Sequence, residues 1–418
     1  MRNSRLLRLA LLATAGIALA SSTSAADRRG DPLQLSIATF NARFLFDGHP
    51  PEGEAGFPWK NDPAKARRHV QEIAAILREV NADIVHISEV EDHETLKRLL
   101  LEIGDPTYRA FLVPGRDAFT RQNVGLISRI DPDAPLRRTD EWASGPGGGP
   151  RQGVPKNYAA RITAGSLRLT LVGLHLLAFP DDPERAPRRE AQAEVARRFA
   201  GEEGTSAGRL VIVLGDLNDV DPEVLDTAGS TAITSVLEIL RAVDPRVPED
   251  DLMNPAALLA EEDRFTAFVD RNQNGLDDGL AERTLTDHIL LPEALAPAIL
   301  QVEVYPGHDP LGPSDHFPLK VTLDLSSEVF VRGDADRDAR TSEKDALAIL
   351  AHLFEGRRLA CEDAADVDDD GRITLTDAVY LLSHLHRQDL PPPPPGPRLP
   401  GIDPTPDALE ECRSAPLP

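Results

Sequence analysis

Polar side chains end several apolar runs of this chain. The clearest case is RLVIVLGDLNDV at residues 209–220, where a β-branched run gives way to GDLND. An apolar run of this length is typical of a strand buried on both faces, and sites often lie where such strands end. Because strand side chains alternate, Asp216 and Asn218 are predicted to face one reacting centre.

Five other segments place polar residues in the same way. They contribute Asn41 in TFN, Glu89 in ISEV, His175 in GLHL, Asp287 in TDHIL, and Asp315 with His316 in SDHFPL. Carboxylate and amide oxygens without a thiolate are the ligands of Mg²⁺, Mn²⁺ or Ca²⁺ rather than of zinc. The strands that carry these residues must therefore converge on one sheet edge that can hold a hard cation.

Seven sequence blocks, in one order, resemble the endonuclease/exonuclease/phosphatase superfamily, which has the fold of deoxyribonuclease I. The blocks are TFN at 39–41, ISEV at 87–90, GLISR at 125–129, GLHL at 173–176, GDLND at 215–219, TDHIL at 286–290 and SDHFPL at 314–319. The resemblance covers about residues 33–325. It implies an α/β (α+β) fold: a four-layer sandwich of two packed mixed sheets flanked by helices.

The resemblance also implies a metal-dependent phosphoester hydrolase with Mg²⁺ or Mn²⁺ at its centre. The predicted metal ligands are Asn41, Glu89 and Asp315. Asp216 would orient or deprotonate the attacking water, and Asn218 would donate to the phosphate.

Two histidines complete the predicted catalytic set, which is His175, Asp216, Asn218, Asp287 and His316. His316 would bind the phosphate and assist proton transfer, and Asp287 would fix the tautomer of its ring. His175 would donate to the phosphate or protonate the leaving oxygen. Strand alternation aims His86 and His288 away from this centre. Arg189 and Gln192 either hold a motif loop or a substrate phosphate, or serve packing alone.

Net charge and the N-terminal residues predict how the protein binds its partners and where it is located. The 418 residues carry 45 Lys and Arg against 69 Asp and Glu, a formal net charge of −24. This argues against binding nucleic acid through a broad basic surface.

The N-terminal residues have a basic start, an apolar stretch and small residues up to Ala25. This pattern predicts a signal peptide at 1–25 and therefore a secreted, periplasmic or cell-surface protein without a transmembrane segment.

A twelve-residue unit occurs twice beyond residue 325. DADRDARTSEKD at 334–345 and DVDDDGRITLTD at 366–377 share acidic first, third, fifth and twelfth positions, and each precedes an apolar helical stripe. This is the spacing of a calcium loop. The predicted Ca²⁺ residues are Asp334, Asp336, Asp338, Asp345, Asp366, Asp368, Asp370, Arg372 and Asp377.

Two loops that are each followed by one helix resemble a type I dockerin over 329–390. A small all-α module and a cohesin-like partner are what the resemblance implies. The sixth loop position, which favours glycine, is Gly371 in the second copy but Ala339 in the first, so the first site is expected to be weaker. A third acidic loop, DRNQNGLDDG, has Ala281 at its twelfth position and is read mainly as a surface turn.

The remaining residues, 391–418, form a Pro-rich acidic tail that is expected to be a stiff tether. Cys361 and Cys412 are the two cysteines, and an even pair in an exported chain is a candidate disulfide; the alternative is a free thiol in a disordered tail.

The sequence thus predicts an exported phosphodiesterase, with an extracellular nuclease as first choice. Scattered cations near the motif loops favour nucleic acid: Arg121, Arg151, Lys156, Arg188 and Arg189. The alternatives are a sphingomyelinase-like lipid or other small phosphoester hydrolase, for which an aromatic content of 5% is low, and a non-catalytic calcium-dependent scaffold.

Overall fold

A computed structural model describes residues 25–247, 250–387, 391–405, 407–409 and 412. The predicted signal peptide lies outside these residues except for Ala25. Every helix in the described part of the chain is too short or too polar to cross a lipid bilayer.

Fifteen strands and seven α-helices follow one another along these residues. The strands are β1 (Gln34–Leu45), β2 (Ile84–Val90), β3 (Arg109–Phe111), β4 (Asn123–Ser128), β5 (Ala143–Gly145), β6 (Gly148–Gln152), β7 (Asn157–Ala164), β8 (Leu167–His175), β9 (Leu210–Asp216), β10 (Leu252–Met253), β11 (Ala267–Phe268), β12 (Arg283–Thr284), β13 (Asp287–Pro292), β14 (Ile299–Val304) and β15 (Leu319–Asp324). The helices are α1 (Pro63–Val80), α2 (His93–Ile103), α3 (Ala186–Glu203), α4 (Val236–Arg241), α5 (Glu343–Glu355), α6 (Glu362–Ala365) and α7 (Leu375–Arg387).

Two large mixed sheets form the centre of the molecule. The first has the order β14-β15-β1-β2-β4-β3, and the second has the order β10-β13-β9-β8-β7. Each contains one parallel pair, β1 with β2 and β8 with β9, among antiparallel neighbours. Short strands pair as β5-β6 and β11-β12 outside the two sheets.

Three hydrophobic cores stack these sheets into four layers. Side chains such as Ile37 and Ile212 fill the space between the sheets. A second core packs α1 and α2 on the outer face of the first sheet, and a third packs α3 and α4 on the second sheet. This arrangement confirms the predicted four-layer fold.

Helix ends are defined by local sequence. Asp62 caps α1 by accepting from the backbone N–H groups of Ala64 and Lys65, with Pro63 at the first helical position. The helix ends at Asn81, which takes a left-handed conformation. The following residues enter β2, so the ISEV block reaches the end of the sheet.

The C-terminal module is a small helical unit in which α5 and α7 pack around Ile349 and Leu381. Cys361 and Cys412 form a disulfide, which resolves the open question of their pairing.

The tail is not a free tether over its described part. Leu399 and Ile402 are 3% and 8% exposed and join the core between the sheets, close to Leu295. The backbone N–H of Ile402 donates to the carbonyl of Ala294 (3.2 Å), and Gly401 pairs with Phe330. Residues 399–402 thereby connect the C-terminal module to the sandwich.

Candidate active site

Three of the predicted residues, Asn41, His175 and His316, approach one oxygen atom of a fourth, Oδ2 of Asp216. Nδ2 of Asn41 donates to it at 2.9 Å. Nε2 of His175 lies 3.5 Å away and Nε2 of His316 lies 3.9 Å away. Asp216 and His175 are 2% and 3% exposed, so the cluster is almost fully removed from bulk water.

Strand register explains why these residues converge. His175 pairs with Asp216 across β8 and β9, and Asp216 pairs with Asp287 across β9 and β13. The three residues therefore lie side by side where three neighbouring strands begin or end. Asn41 approaches from β1 of the opposite sheet, which packs against this edge.

Glu89 reaches the same centre through an irregularity in β2. Its neighbour Ile87 faces the outer core, and strict alternation would send Glu89 the same way. The register of β2 shifts between Ser88 and Val90, and Glu89 has φ 65°, a conformation that side chains other than glycine rarely adopt. Its carboxylate accepts from the backbone N–H of Phe44 (2.9 Å) and from Nδ2 of Asn41 (3.3 Å).

His316 is held by Asp287. Its Nδ1 lies 2.6 Å from Oδ2 of Asp287, which leaves Nε2 pointing toward Asp216. Burial opposes protonation of the ring, but the carboxylates of Asp287 and Asp216 outweigh it and raise the pKa of His316 well above its usual range. The ring is therefore an imidazolium at neutral pH.

The two other titrating groups respond to burial in opposite ways. Burial and the charge of Asp287 raise the pKa of Asp216. Burial, with the charges of Lys156 and His316, lowers the pKa of His175 well below its usual range, so this ring is neutral. Nδ1 of His175 is buried without a hydrogen-bond partner.

Asn218 lies beside Asp216 for a different reason than strand alternation. Strand β9 ends at Asp216, and Asn218 occupies a turn with φ 50°. Its backbone N–H donates to Oδ1 of Asp216 (3.0 Å), and its Nδ2 donates to the carbonyl of Leu176 (3.3 Å). Asn218 thus orients the carboxylate of Asp216.

Asp315 is at the rim of the cluster. Its Oδ1 lies 3.8 Å from Nε of Arg43, and its side chain is 40% exposed. Arg43 follows Asn41 and has φ 44°, and its backbone N–H donates to Oδ1 of Asn41 (3.0 Å). The amide oxygen of Asn41 is thus engaged by the backbone, while its nitrogen bridges two carboxylates.

Lys156 is a residue whose place in the centre the sequence did not indicate. The sequence places it among scattered cations near the motif loops; in the structure it is 8% exposed, and its charge acts on both Glu89 and Asp216. Its Nζ donates to Oε1 of Gln122 (3.3 Å) and lies 3.7 Å from Asp117. Burial lowers the pKa of Lys156, and the surrounding carboxylates oppose this shift.

Arg189 holds a loop. Fully buried, it donates to Oδ2 of Asp219 (2.8 Å) and to the carbonyls of Phe179 (3.1 Å) and Pro180 (2.8 Å). Gln192 accepts from the backbone N–H of Leu177 (2.8 Å). Both residues therefore position the chain that follows His175.

The two excluded histidines form their hydrogen bonds with residues outside the cluster. His86 contacts Tyr158 (3.0 Å) and Ser88 (3.1 Å), and burial lowers its pKa to about 3. His288 contacts Asn254 (3.2 Å) and the carbonyl of Asp219 (2.9 Å).

The cluster fits a divalent cation by its donor set. Four carboxylates surround it, and Oδ1 of Asp287 is buried without a hydrogen-bond partner. Burial and the charge of Asp315 raise the pKa of Glu89, and the charge of Lys156 opposes this shift. Ligand atoms of Asp216, Asp287 and His316 lie within 4.8 Å of one another, although only the two carboxylates could bind a cation while the His316 ring is protonated. Hard oxygens in this number suit Mg²⁺ or Mn²⁺.

The sequence of the chain matches one family. The family model described as "Endonuclease/Exonuclease/phosphatase family" matches residues 38–316, more than half of the chain. The chain belongs to this family. It is a phosphoester hydrolase, and the match includes all eight predicted catalytic and metal-binding residues.

Solved structures resemble this family member in fold. An endonuclease/exonuclease/phosphatase from Bacteroides vulgatus is 18% identical, with 70% of this chain and 99% of that chain covered and a TM-score of 0.45. Truncated TDP2 from Caenorhabditis elegans is 17% identical, with 70% and 97% covered and a TM-score of 0.42. A family protein from Beutenbergia cavernae is 14% identical, with 72% and 75% covered and a TM-score of 0.43. None of the curated proteins matches this chain.

Both repeat loops of the C-terminal module have the same hydrogen bonds. Asp334 accepts from the backbone N–H groups of Asp338 (3.0 Å) and Ala339 (3.0 Å). Asp366 accepts in the same way from Asp370 (3.2 Å) and Gly371 (2.8 Å).

The closing carboxylates of these loops complete two clusters. Asp345 and Asp377 each accept from backbone N–H groups early in their own loop. The clustered carboxylates, whose ligand atoms lie within 4.8 Å of one another, are Asp334, Asp336 and Asp345 in one loop and Asp366, Asp368 and Asp377 in the other. Asp338 and Asp370 lie outside these close sets, and Arg372 is exposed.

The third acidic loop also closes on itself. Asp270 accepts from the backbone N–H groups of Asn274 (3.1 Å) and Gly275 (2.9 Å), as the first residue of each repeat loop does. Glu282, one residue beyond Ala281, accepts from the N–H groups of Arg271 (3.2 Å) and Asp278 (3.0 Å). The carboxylate missing from the twelfth position is thus replaced by its neighbour.

Proposed function

We propose that this protein is an exported, metal-dependent phosphodiesterase that cleaves nucleic acid by attack of water on phosphorus. The observation that carries this proposal is the convergence of Asn41, His175 and His316 on one oxygen of Asp216. Such a cluster combines a carboxylate of raised pKa with a protonated ring, which are the two groups that proton transfer requires.

Glu89 is the proposed principal metal ligand, with Asp315 at the open rim and Asn41 bridging Glu89 to Asp216. A bound Mg²⁺ or Mn²⁺ would supply charge neutralisation at the phosphoryl oxygens. Lys156 lies within electrostatic reach of the same carboxylates, which oppose the lowering of its pKa by burial.

Asp216 is the proposed base, because its raised pKa lets it accept the proton of the attacking water near neutral pH. The backbone N–H of Asn218 keeps its carboxylate in place. Nε2 of His316, with Nδ1 bound to Asp287, donates a hydrogen bond to a phosphate oxygen. His175 is neutral, and we assign it the donation to the phosphate or to the leaving oxygen.

We further propose that the C-terminal repeats bind Ca²⁺ as a dockerin-like module. Supporting this, the two loops share hydrogen bonds that present their carboxylates to one point. The exposed outer faces of α5 and α7, including Leu347 and Val379, suit a cohesin-like protein partner.

Export is supported by the basic and apolar N-terminal residues and by the Cys361–Cys412 disulfide, since disulfides persist in oxidising compartments. A secreted or periplasmic protein would meet nucleic acid outside the cytoplasm.

A panel of substrates tests the proposal. Purified protein should cleave plasmid DNA or RNA and bis(4-nitrophenyl) phosphate with Mg²⁺, and should cleave none of them with EDTA. Cleavage of sphingomyelin in preference to nucleic acid would favour the lipid hydrolase instead. Absence of activity on every substrate with metal present would favour the calcium-dependent scaffold.

A further inference from the structure

A cavity of about 310 Å³ is lined by residues 116–119, 140–142 and 152–155, next to Lys156 in the chain, and an exposed tryptophan forms part of its wall. Trp142 is 51% exposed, and Phe119 on the lining loop is 61% exposed. We propose that this cavity is a nucleobase subsite, in which the indole of Trp142 stacks on a base next to the phosphate that is cut. This inference rests on the proposed nuclease function.

Trp142 is held in a fixed position. A Cβ atom at Gly153 would lie 3.2 Å from its Nε1, 3.3 Å from its Cε2 and 2.9 Å from the carbonyl of Glu141, so the indole lies directly on this glycine. Arg151 donates to the carbonyl of Trp142 (2.7 Å). The remaining surface of the ring is free to meet a ligand.

Hydrogen bonds and an ion pair connect both walls of the cavity to residues near the catalytic centre. The carbonyl of Gly153 accepts from Gln192 (3.2 Å), which also holds Leu177, two residues after His175. On the other side, Asp117 lies 3.7 Å from Lys156, whose charge acts on Glu89 and Asp216. Asp117 and Gly153 thus connect the cavity to Lys156 and to the chain that follows His175, which is the basis for placing a base there next to the phosphate bound at the catalytic cluster.

The polar lining favours a base over an acyl chain. Asp140 pairs with Arg116 (2.7 Å) and Arg138 (3.1 Å), and Asp117 pairs with Lys156, so these carboxylates do not repel a phosphate chain strongly. Glu141 offers carboxylate oxygens for the edge of a base, Gln152 Oε1 already accepts from Arg188 (3.2 Å) but has a second lone pair, and aromatic side chains can stack on the face of the base. An acyl chain would leave these polar groups unpaired.

Kinetics on two oligonucleotides of equal length test the subsite, one with bases and one with abasic tetrahydrofuran residues. Wild-type protein should prefer the base-bearing strand by on the order of tenfold in kcat/KM, mainly through KM. Trp142→Ala should remove this preference and leave cleavage of the abasic strand unchanged, whereas Trp142→Phe should keep most of it. Phe354→Ala is the matched control, because Phe354 is 74% exposed on α5, far along the chain in the C-terminal module.

Fluorescence gives a second measurement without turnover. Trp59 is 6% exposed and Trp142 is the other tryptophan of the chain, so quenching by a ligand reports on Trp142. Thymidylyl-thymidine in EDTA should quench wild-type emission, and should not quench that of Trp142→Phe.

Three results would overturn the subsite. A Trp142→Ala variant that keeps the wild-type preference for the base-bearing strand would rule out the subsite. So would a folded variant whose cleavage of both strands falls equally. Either result would leave the proposed nuclease function intact. Wild-type protein that cleaves phosphodiesters but neither oligonucleotide would overturn the nuclease function together with the subsite.

Discussion

Asp216 is the residue on which the centre depends. It is buried, its Oδ1 is fixed by a backbone N–H, and its Oδ2 faces an amide and two imidazoles. His175, Asp216 and Asp287 could be predicted from the sequence because each ends or begins a strand, whereas Asn41 lies within β1 and His316 precedes β15. Sequence analysis missed Lys156, since a lysine just before a strand gives no sign that the fold will bury it.

We predict strong coupling between His316 and Asp287. Alanine at His316 should reduce turnover by on the order of a hundredfold or more. Asp287→Ala should remove much of the same activity, and the double variant should lose little beyond the worse single variant, because the two act as one unit. Rates of all three variants on bis(4-nitrophenyl) phosphate measure this. Losses that multiply in the double variant would mean that the two residues act independently.

The same pair predicts a change in pH dependence. His316 must be protonated to donate, and Asp287 raises its pKa, so activity should persist to alkaline pH in wild-type protein. In Asp287→Asn the pKa of His316 falls, and the alkaline limb of the profile of kcat against pH should move to lower pH. An alkaline limb that stays in place would contradict the assigned role of Asp287.

At the scale of elements, strands were predictable and their irregularities were not. Apolar runs such as the one that ends at Asp216 predicted strands that the structure places in the two sheets. The register shift at Glu89 and the left-handed turn at Asn218 arise from contacts between segments distant in sequence, which periodicity cannot express. The acidic loops were readable from spacing, but spacing gave Glu282 no closing role because it lies one residue beyond the expected twelfth position.

We predict that the second calcium loop binds more tightly than the first. Ala339 has φ 64° where Gly371 has φ 78°, and a left-handed alanine costs about 1 kcal/mol. Calorimetric titration of Ca²⁺ should lose its tighter site in Asp366→Ala and its weaker site in Asp334→Ala, and Ala339→Gly should strengthen the first loop. Equal affinities, or a tighter first loop, would contradict the ranking.

Calcium should also change how stability depends on pH. Burial raises the pKa of Asp334 and of Asp366 to about 6, so the calcium-free folded state binds more protons than the unfolded state between pH 3.8 and 6. The contribution of these loops to stability therefore falls as pH rises through that window. The gain in Tm on adding Ca²⁺ should be larger at pH 7 than at pH 5; an equal gain at both would argue against loop carboxylates as ligands.

At the scale of the whole molecule, the C-terminal module is joined to the sandwich by the tail. Composition suggested a tether, because proline-rich segments carry no periodicity from which to read burial. The structure instead buries Leu399 and Ile402 against the core between the sheets. The proposed catalytic and calcium-binding sites thus lie in separate parts of one molecule, which are joined by these buried tail residues.

We predict that deleting residues 329–418 leaves hydrolysis of small diesters nearly unchanged but lowers Tm by roughly 5 °C or more, since each buried aliphatic side chain contributes about 1.5–3 kcal/mol. The full-length double variant Leu399→Ala with Ile402→Ala is the control. It should reproduce much of the Tm loss while retaining calcium binding. Truncated protein that melts like wild type, or that folds but has no activity, would contradict this division.

Metal-dependent hydrolysis by two variants of the cluster tests the central claim most directly. Turnover of bis(4-nitrophenyl) phosphate should be measured against Mg²⁺ concentration for wild-type protein, Glu89→Gln and Asp216→Asn, with circular dichroism to confirm folding. Both variants should lose at least about a hundredfold in kcat, because they remove the proposed metal ligand and base. Glu89→Gln should in addition require more Mg²⁺. Near wild-type turnover by either folded variant at saturating Mg²⁺ would contradict the assignment of this cluster as the catalytic centre.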